Sequence, residues 1–452
     1  MIENQKQMMR KFFAVSVFGW GLVIIGMLGN PWVTARYLTQ DGSLDFHVRT
    51  ALLILDALLI FWGLVILFRR RTWHARQIGY LLVATVLTLV IVEGFLQVIC
   101  IIKNRVVFDV RMSHSAYKNE PWGKEYWKEY HDTSFHYEPF IQWVADELQG
   151  KWINMDRAGI RKTWTPPGPI PSAPKQIFVM GGSAIWGIGA RDDHTIPSDL
   201  SKLLNATNKQ FLVSNYGTPG FTLLQEIVKL MLLLKDGQRP DYIVFYDGSN
   251  EVYTAYQTGR VVNLHNFEEI QEKVEASPIS LGLKYVLAKC RIVQATEKTL
   301  AVFHLQYNYQ EGAARFTEKQ LEALGKDITK NYKESASLVQ KLSEVYNFNY
   351  TLFWQPVIFY ETNVVEDEIR FDPHCRDQNL AKLFKIVAAD LVNSPPPRWV
   401  DLSGALHQAP KPIYIDFCHM TEPGYATVSA NIATIVRDQL QTGKTAPRRP
   451  GP

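Results

Sequence analysis

Four short stretches of this 452-residue chain carry side chains able to do chemistry, and each follows an apolar run with strand character. Gln176–Met180 leads into Gly181-Gly182-Ser183-Ala184. A serine at a glycine-rich strand-to-helix turn is accessible and close to a helix N-terminus, which suits a nucleophile and the oxyanion it creates, although Gly-Gly-Ser is also ordinary turn chemistry. Phe211–Asn215 leads into Tyr216-Gly217-Thr218-Pro219-Gly220-Phe221-Thr222, where Gly217 or Gly220 would let a backbone N–H approach a ligand or would simply end a strand. Asp241–Tyr246 leads into Asp247-Gly248-Ser249-Asn250-Glu251; the Asn250 amide can donate to a developing oxyanion or cap the next helix. Near the C-terminus, Asp416-Phe417-Cys418-His419 precedes Pro423-Gly424. An aspartate three residues before a histidine can orient its imidazole as a base, or both can cap the following helix.

The elements that must position these residues alternate. Strand-like runs at Gln176–Met180, Phe211–Asn215, Asp241–Tyr246, Tyr350–Gln355 and Arg398–Leu402 are separated by helical patterns at Ile196–Leu204, Leu223–Leu234, Leu321–Val345 and Leu380–Val392. Such alternation predicts an α/β fold, a three-layer doubly wound parallel sheet, with ligands bound beyond the carboxyl ends of its strands. All four stretches fall there, in one chain order.

On those residues the sequence resembles the SGNH (GDSL-like) hydrolase family, over roughly Trp152 to Val436, and is most similar to membrane-anchored bacterial members with a Gly-Gly-Ser first block. The resemblance extends to Gly159-Ile160-Arg161 before the first strand and Gln355-Pro356 after the fourth. It implies a flavodoxin-like SGNH fold in which Ser183 is the nucleophile and His419 and Asp416 complete the triad. Ser183, Gly220 and Asn250 would hold the oxyanion, without metal or organic cofactor. Two positions depart from the pattern. Gly182 stands where the family has Asp, and Glu251 replaces the Asp after the block-three Asn, which puts the support of Asn250 in question. The implied activity is a serine esterase or acyl hydrolase removing an ester-linked, first of all O-acetyl, group from a carbohydrate or lipid ester. The alternatives are an acyltransferase of the same fold modifying exported polysaccharide, and a non-catalytic glycan-binding assembly protein.

Three apolar runs precede this region, Phe12 to Gly29, Thr50 to Phe68 and Ile78 to Ile102, each near the ~20 residues of a helical membrane span. The first also fits a signal peptide, with Lys6, Arg10 and Lys11 before it and Val33-Thr34-Ala35 after it. Lys6, Arg10, Lys11, Arg69, Arg70, Arg71 and Arg76 fall on one side, against Arg36 and Arg49 on the other. This asymmetry predicts a multi-pass protein of the cytoplasmic membrane with its large domain on the extracytoplasmic side. Asp56, Glu93 and Gln97 lie inside these runs, where a polar group is costly, and read first as a polar pair facing the bundle or an end of span near water, with a contact between spans or a substrate path as the alternative.

The expected organisation is an anchor over 1–105, a juxtamembrane collar and linker over 106–170, and the α/β domain over 171–440. Residues 257–312 read as an insertion over the active-site face, and 441–452 as a disordered tail. A net charge of +4 with no Lys/Arg-rich block gives no footprint for nucleic acid. Gly187-Ile188-Gly189 lacks the third glycine of a dinucleotide fingerprint. Cys290, Cys375 and Cys418 form no metal-ligand spacing and leave a disulfide pairing undetermined.

Overall fold

The computed structural model describes residues 2–28, 31, 46–69, 75–104, 109–169, 171–207, 210–267, 270–271, 278–302 and 316–441. The signal-cleavage candidate Val33-Thr34-Ala35 and, beyond Gln441, the expected tail lie outside them. The chain forms two units, Met1–Val107 with Gln271–Asn308, and Phe108–Ile270 with Tyr309–Pro452.

The first unit begins with helices α1 (Ile2–Leu28), α2 (Phe46–Arg69) and α3 (Ala75–Asn104). Leu, Ile and Phe dominate α2, and its stretch Arg49–Arg69 is long and apolar enough to cross a membrane. Val15–Met27 and Val83–Val98 are shorter apolar stretches. Small residues let α1 and α2 approach closely: a Cβ on Gly63 would lie 2.8 Å from the Gly19 carbonyl oxygen, and one on Gly26 would lie 3.0 Å from that of Asp56. Asp56 is buried in this pair.

The second unit opens with α4 (Gly123–Asp132) and the antiparallel hairpin β1 (Phe135–Glu138) and β2 (Gln142–Ala145). Then follow β3 (Lys175–Gly181), the one-turn helix α5 (Ser183–Trp186), α6 (Ile196–Leu204), β4 (Phe211–Asn215), α7 (Leu223–Lys235), β5 (Tyr242–Asp247) and α8 (Ser249–Thr258). Helices α9 (Pro278–Lys289) and α10 (Arg291–Val302) come next. They pack on α2 and α3, in the first unit. The segment 257–312, which the sequence suggested as one insertion of the α/β domain, is therefore divided, and its helical part belongs to the first unit. The second unit resumes with α11 (Glu318–Tyr346), β6 (Asn349–Trp354), α12 (Gln378–Asn393), β7 (Trp399–Asp401) and α13 (Glu422–Gln441).

Five parallel strands form one sheet in the order β4-β3-β5-β6-β7. The chain steps outward from β3 to β4 and then reverses to β5. Right-handed crossovers therefore place α6 on one face and α7, α8, α11 and α12 on the other, and α13 returns to pack beside α6. Every residue of β5 is buried, as are the last five of β3 and of β6, because helices cover both faces. At roughly 1.5–3 kcal/mol per buried large aliphatic or aromatic side chain, this core holds the strand ends in register. The helices that follow the adjacent strands β3 and β5 lie on opposite faces, so the switch point of the sheet falls between these two strands, at the carboxyl edge where the chemistry-bearing stretches emerge.

Candidate active site

Ser183 opens α5 directly after β3, and its side chain is mostly buried. Its Oγ lies 2.6 Å from His419 Nε2, and His419 Nδ1 lies 2.6 Å from Asp416 Oδ2. With Nδ1 against a carboxylate, the ring proton belongs on Nδ1. Nε2 is then the acceptor for the serine hydroxyl. Asp416 Oδ1 accepts the N–H groups of Cys418 (2.9 Å) and His419 (2.7 Å), so the loop's own backbone fixes the carboxylate. Burial alone would raise its pKa; the His419 imidazole and these N–H donors outweigh burial and hold it well below the ordinary carboxylate range. Cys418 Sγ is 3.6 Å from His419 Nδ1, and burial pushes its thiol pKa up. Asp416, Cys418 and His419 are the one cluster of metal-ligand type among the described residues, but the imidazole and carboxylate already engage each other.

The glycine turn after β4 separates its two glycines by role. Gly217 donates its N–H to Asn215 Oδ1 (2.9 Å), and a Cβ there would lie 2.3 Å from the Trp186 nitrogen, so its smallness lets the turn press on α5. Gly220 has φ +81, a left-handed conformation that favours glycine. The N–H groups of Gly220 and Ser183 make no hydrogen bond among the described residues. Asn250, in the first turn of α8, donates from Nδ2 to the Phe221 carbonyl at 2.7 Å, which ties it to the same turn.

The two departures from the family pattern acquire physical meaning here. A Cβ on Gly182 would lie 2.2 Å from Asn250 Nδ2, so the Asn250 amide fills the space an aspartate would need. Glu251 turns inward, accepting the N–H of Leu223 and of Gly248, each at 2.7 Å. The longer side chain bridges the starts of α7 and α8 and so supports the Asn250 loop.

Beneath these turns lies a layer of buried ionisable groups that sequence reasoning missed. Glu226 and Asp247 are buried neighbours, and burial, then the negative charge beside each, raises both carboxyls well above their ordinary values. Asp247 accepts the Tyr332 hydroxyl at 3.2 Å. Lys229 is buried too; burial lowers its pKa to about 8, and its ammonium donates to Thr218 Oγ1 at 3.1 Å. A signal existed, because Glu226 falls on the apolar stripe Leu223, Ile227, Leu230 and Leu234 of α7, where a carboxylate has no solvent.

Arg161 is the largest buried cation. It donates to the carbonyls of Trp186 (2.8 Å), Gly187 (2.8 Å) and Ala190 (2.7 Å) and to Asp192 Oδ1 (3.0 Å). The Arg161 donors satisfy the open carbonyls at the C-terminal end of α5; removing one partner of its buried pair with Asp192 typically costs ~3–5 kcal/mol. The stretch before β3 closes round the same loop. Tyr126 accepts the Gly189 N–H at 2.7 Å, the Tyr117 hydroxyl donates to the Gly189 carbonyl at 2.9 Å, and Trp143 Nε1 donates to the Pro219 carbonyl at 2.8 Å. The sequence marked these aromatics as a collar, and they brace the turns that carry Ser183 and Gly220.

The rim is aromatic. Trp143 and His265 flank Gly220, each with an atom 3.2 Å from where a Cβ would stand. Tyr253 packs on His265 and Phe417 with ring centroids 5.9 and 5.3 Å away, and its hydroxyl meets His374 Nε2 at 3.2 Å. A cleft of about 200 Å³ runs along Arg111, Phe371, Asp372, Ile415 and Asp416.

No family model and no curated protein matches the chain. Solved structures similar to it include a carbohydrate acetylesterase family member from Sinorhizobium meliloti, at 13% identity and TM-score 0.32, covering 59% of this chain and 99% of that one. A lipase/acylhydrolase from Enterococcus faecalis has 14% identity and TM-score 0.31, covering 61% and 100%. A lipolytic G-D-S-L family member from Veillonella parvula has 10% identity and TM-score 0.30, covering 58% and 98%. At these identities the names do not carry over, and it is the side-chain geometry that bears on function.

Proposed function

We propose that this protein is a membrane-anchored serine esterase that cleaves an ester-linked acyl group, O-acetyl in the first instance, from an acylated carbohydrate or lipid on the extracytoplasmic side. The observation that carries the reading is the continuous chain from Ser183 Oγ through the His419 ring to Asp416, with 2.6 Å at each link. His419 takes the hydroxyl proton as Ser183 Oγ attacks the ester carbonyl, and Asp416 stabilises the imidazolium. The N–H groups of Ser183 and Gly220 and the amide of Asn250 would donate to the developing oxyanion. His419 then protonates the leaving alcohol, and water activated by the same imidazole releases the acid. The close flanks of Trp143 and His265 over Gly220 favour a short acyl group, and the aromatic rim suits the faces of a sugar ring. Membrane anchoring is supported by the apolar helix Arg49–Arg69, and the external location by the Lys/Arg asymmetry along the chain.

The test is hydrolysis of p-nitrophenyl acetate and of longer-chain esters by the full chain, beside Ser183→Ala and labelling with a fluorophosphonate probe. Turnover and labelling that are both lost in Ser183→Ala are expected. Ser183→Ala turning over as fast as the parent would sink the scheme. Labelling of Ser183 without turnover would point to an acyltransferase awaiting its acceptor, and neither labelling nor turnover to a glycan-binding protein.

A further inference from the structure

Two polar groups of the apolar helix α3, Glu93 and Gln97, need an explanation that membrane anchoring alone does not supply, and they share one partner. Helices α9 and α10 form a tight hairpin joined at Cys290 and packed on α2 and α3. The Glu93 carboxylate sits at the N-terminus of α10: Oε1 accepts the Arg291 N–H at 2.8 Å, and Oε2 accepts the Ile292 N–H at 2.9 Å and the Cys290 thiol at 3.3 Å. One turn along α3, Gln97 Nε2 donates to the Lys289 carbonyl at the end of α9 (2.8 Å), and Gln97 Oε1 accepts Arg291 Nε (3.3 Å). Gln294 closes the turn by donating to the Ala288 carbonyl at 2.5 Å. The backbone groups that a helix–helix turn leaves open are thus met by side chains, and the Glu93 and Arg291 charges lie in one cluster. That is the condition for irregular backbone to sit where there is no water.

We propose that Pro278–Val302 is a re-entrant hairpin whose tip enters the outer leaflet of a lipid bilayer and is latched there by Glu93 and Gln97. Each arm has twelve residues, about 18 Å of helix, too short to cross ~30 Å of hydrocarbon. Both arms therefore enter and leave on one side, as the chain requires, since the sequence up to Ile270 and from Tyr309 onward belongs to the α/β unit. The lengths agree: Glu93 lies eleven residues before Asn104, the end of α3, or about 16 Å along the helix, close to the length of an arm. Tyr285 and Val286 are exposed large hydrophobics on α9 with acyl chains as their complement, while Val293 is buried in the bundle. Lys289 lies over the Tyr285 ring at 5.6 Å, turned back from the tip toward the start of α9, as a snorkelling cation is.

The inference rests on the membrane reading above, and the experiment separates the two. The full chain, with its four cysteines replaced, is placed in lipid bilayers carrying a nitroxide at Val286→Cys, at Leu55→Cys on α2, or at Lys330→Cys on α11. Collisions with oxygen, which partitions into lipid, are compared with those of a water-soluble nickel chelate. Val286 is expected to be oxygen-favoured like Leu55, with Lys330 nickel-favoured. Val286 behaving like Lys330 while Leu55 stays oxygen-favoured overturns the hairpin and leaves the anchor standing; Leu55 becoming nickel-favoured overturns both. Adding Glu93→Ala is expected to convert Val286 from oxygen-favoured to nickel-favoured, whereas Glu93→Gln, which keeps an acceptor, is expected to retain the oxygen-favoured signal. No change in Glu93→Ala overturns the latch.

Discussion

Asn250 and Gly182 form one unit at the residue scale. The Asn250 amide has two protons, one donated to the Phe221 carbonyl and one left for an oxyanion. Its position depends on there being no Cβ at Gly182, where the nearest approach would be 2.2 Å. Asn250→Ala is expected to lower kcat by about 10²–10³-fold with little change in KM, the typical loss of one oxyanion donor. Gly182→Asp is expected to cause a comparable loss by displacing the amide. The diagnostic measurement is the double variant: because both substitutions act through one contact, Gly182→Asp should cost little further kcat once Asn250 is alanine. Additive losses would mean that Gly182 acts on the site by another route. Ser183, Gly220, Asn250, Asp416 and His419 were all legible in the sequence, because a nucleophile, a tight turn and a base need particular residue types at strand ends. Arg161 was legible only as part of a motif. That it holds the carbonyl end of α5 follows from a contact across 25 residues, which no spacing rule encodes.

Among the elements, α7 and α8 carry a conflict between local rule and fold. Their inward faces hold Glu226, Lys229 and Glu251 where apolar residues belong, and burial, then the negative charge alongside, raises the Glu226 and Asp247 carboxyls well above the usual carboxylate range. The sign follows from linkage. Unfolded, these acids lose their protons near pH 4–4.5; folded, they keep them, so stability falls as pH rises above that value. Glu226→Gln removes this penalty while keeping the shape. The melting temperature of the Gln variant relative to the parent is therefore expected to rise steadily from pH 5 to pH 8. A difference independent of pH would show that Glu226 is ionised in the folded protein. The five strands of the parallel sheet were legible to within about a residue, since runs such as Tyr242–Asp247, buried on both faces, have no helical period to confuse them, whereas the mostly exposed β1 of the antiparallel hairpin was not read as a strand.

The whole molecule divides the labour between its units. Every residue assigned to the site lies in Phe108–Ile270 or Tyr309–Pro452, and none in the unit that contains the apolar helices. A protein beginning at Phe108, with Gln271–Asn308 replaced by a flexible linker, is therefore expected to hydrolyse p-nitrophenyl acetate with kcat/KM within a few-fold of the full chain. A loss of activity in a protein that retains the parent's near-ultraviolet circular dichroism would show that the first unit contributes to the chemistry.

By itself the sequence determined the alternation of strand and helix, the order in which Ser183, Gly220, Asn250 and Asp416–His419 leave the strand ends, and the apolar character of the N-terminal runs. Local propensity, the period of apolar residues and short-range turn chemistry suffice for all of these. Only the tertiary structure decided that Gly217 braces α5 while Gly220 leaves its N–H unused, and that Glu251 can stand for a shorter acid. It alone showed that acidic and basic side chains of α7 lie under the site. It also moved α9 and α10 out of the α/β unit, which a linear reading of 257–312 could not foresee. The physical reason is common to all four. Each depends on which groups from distant parts of the chain packing brings together, and the residues on either side do not settle that.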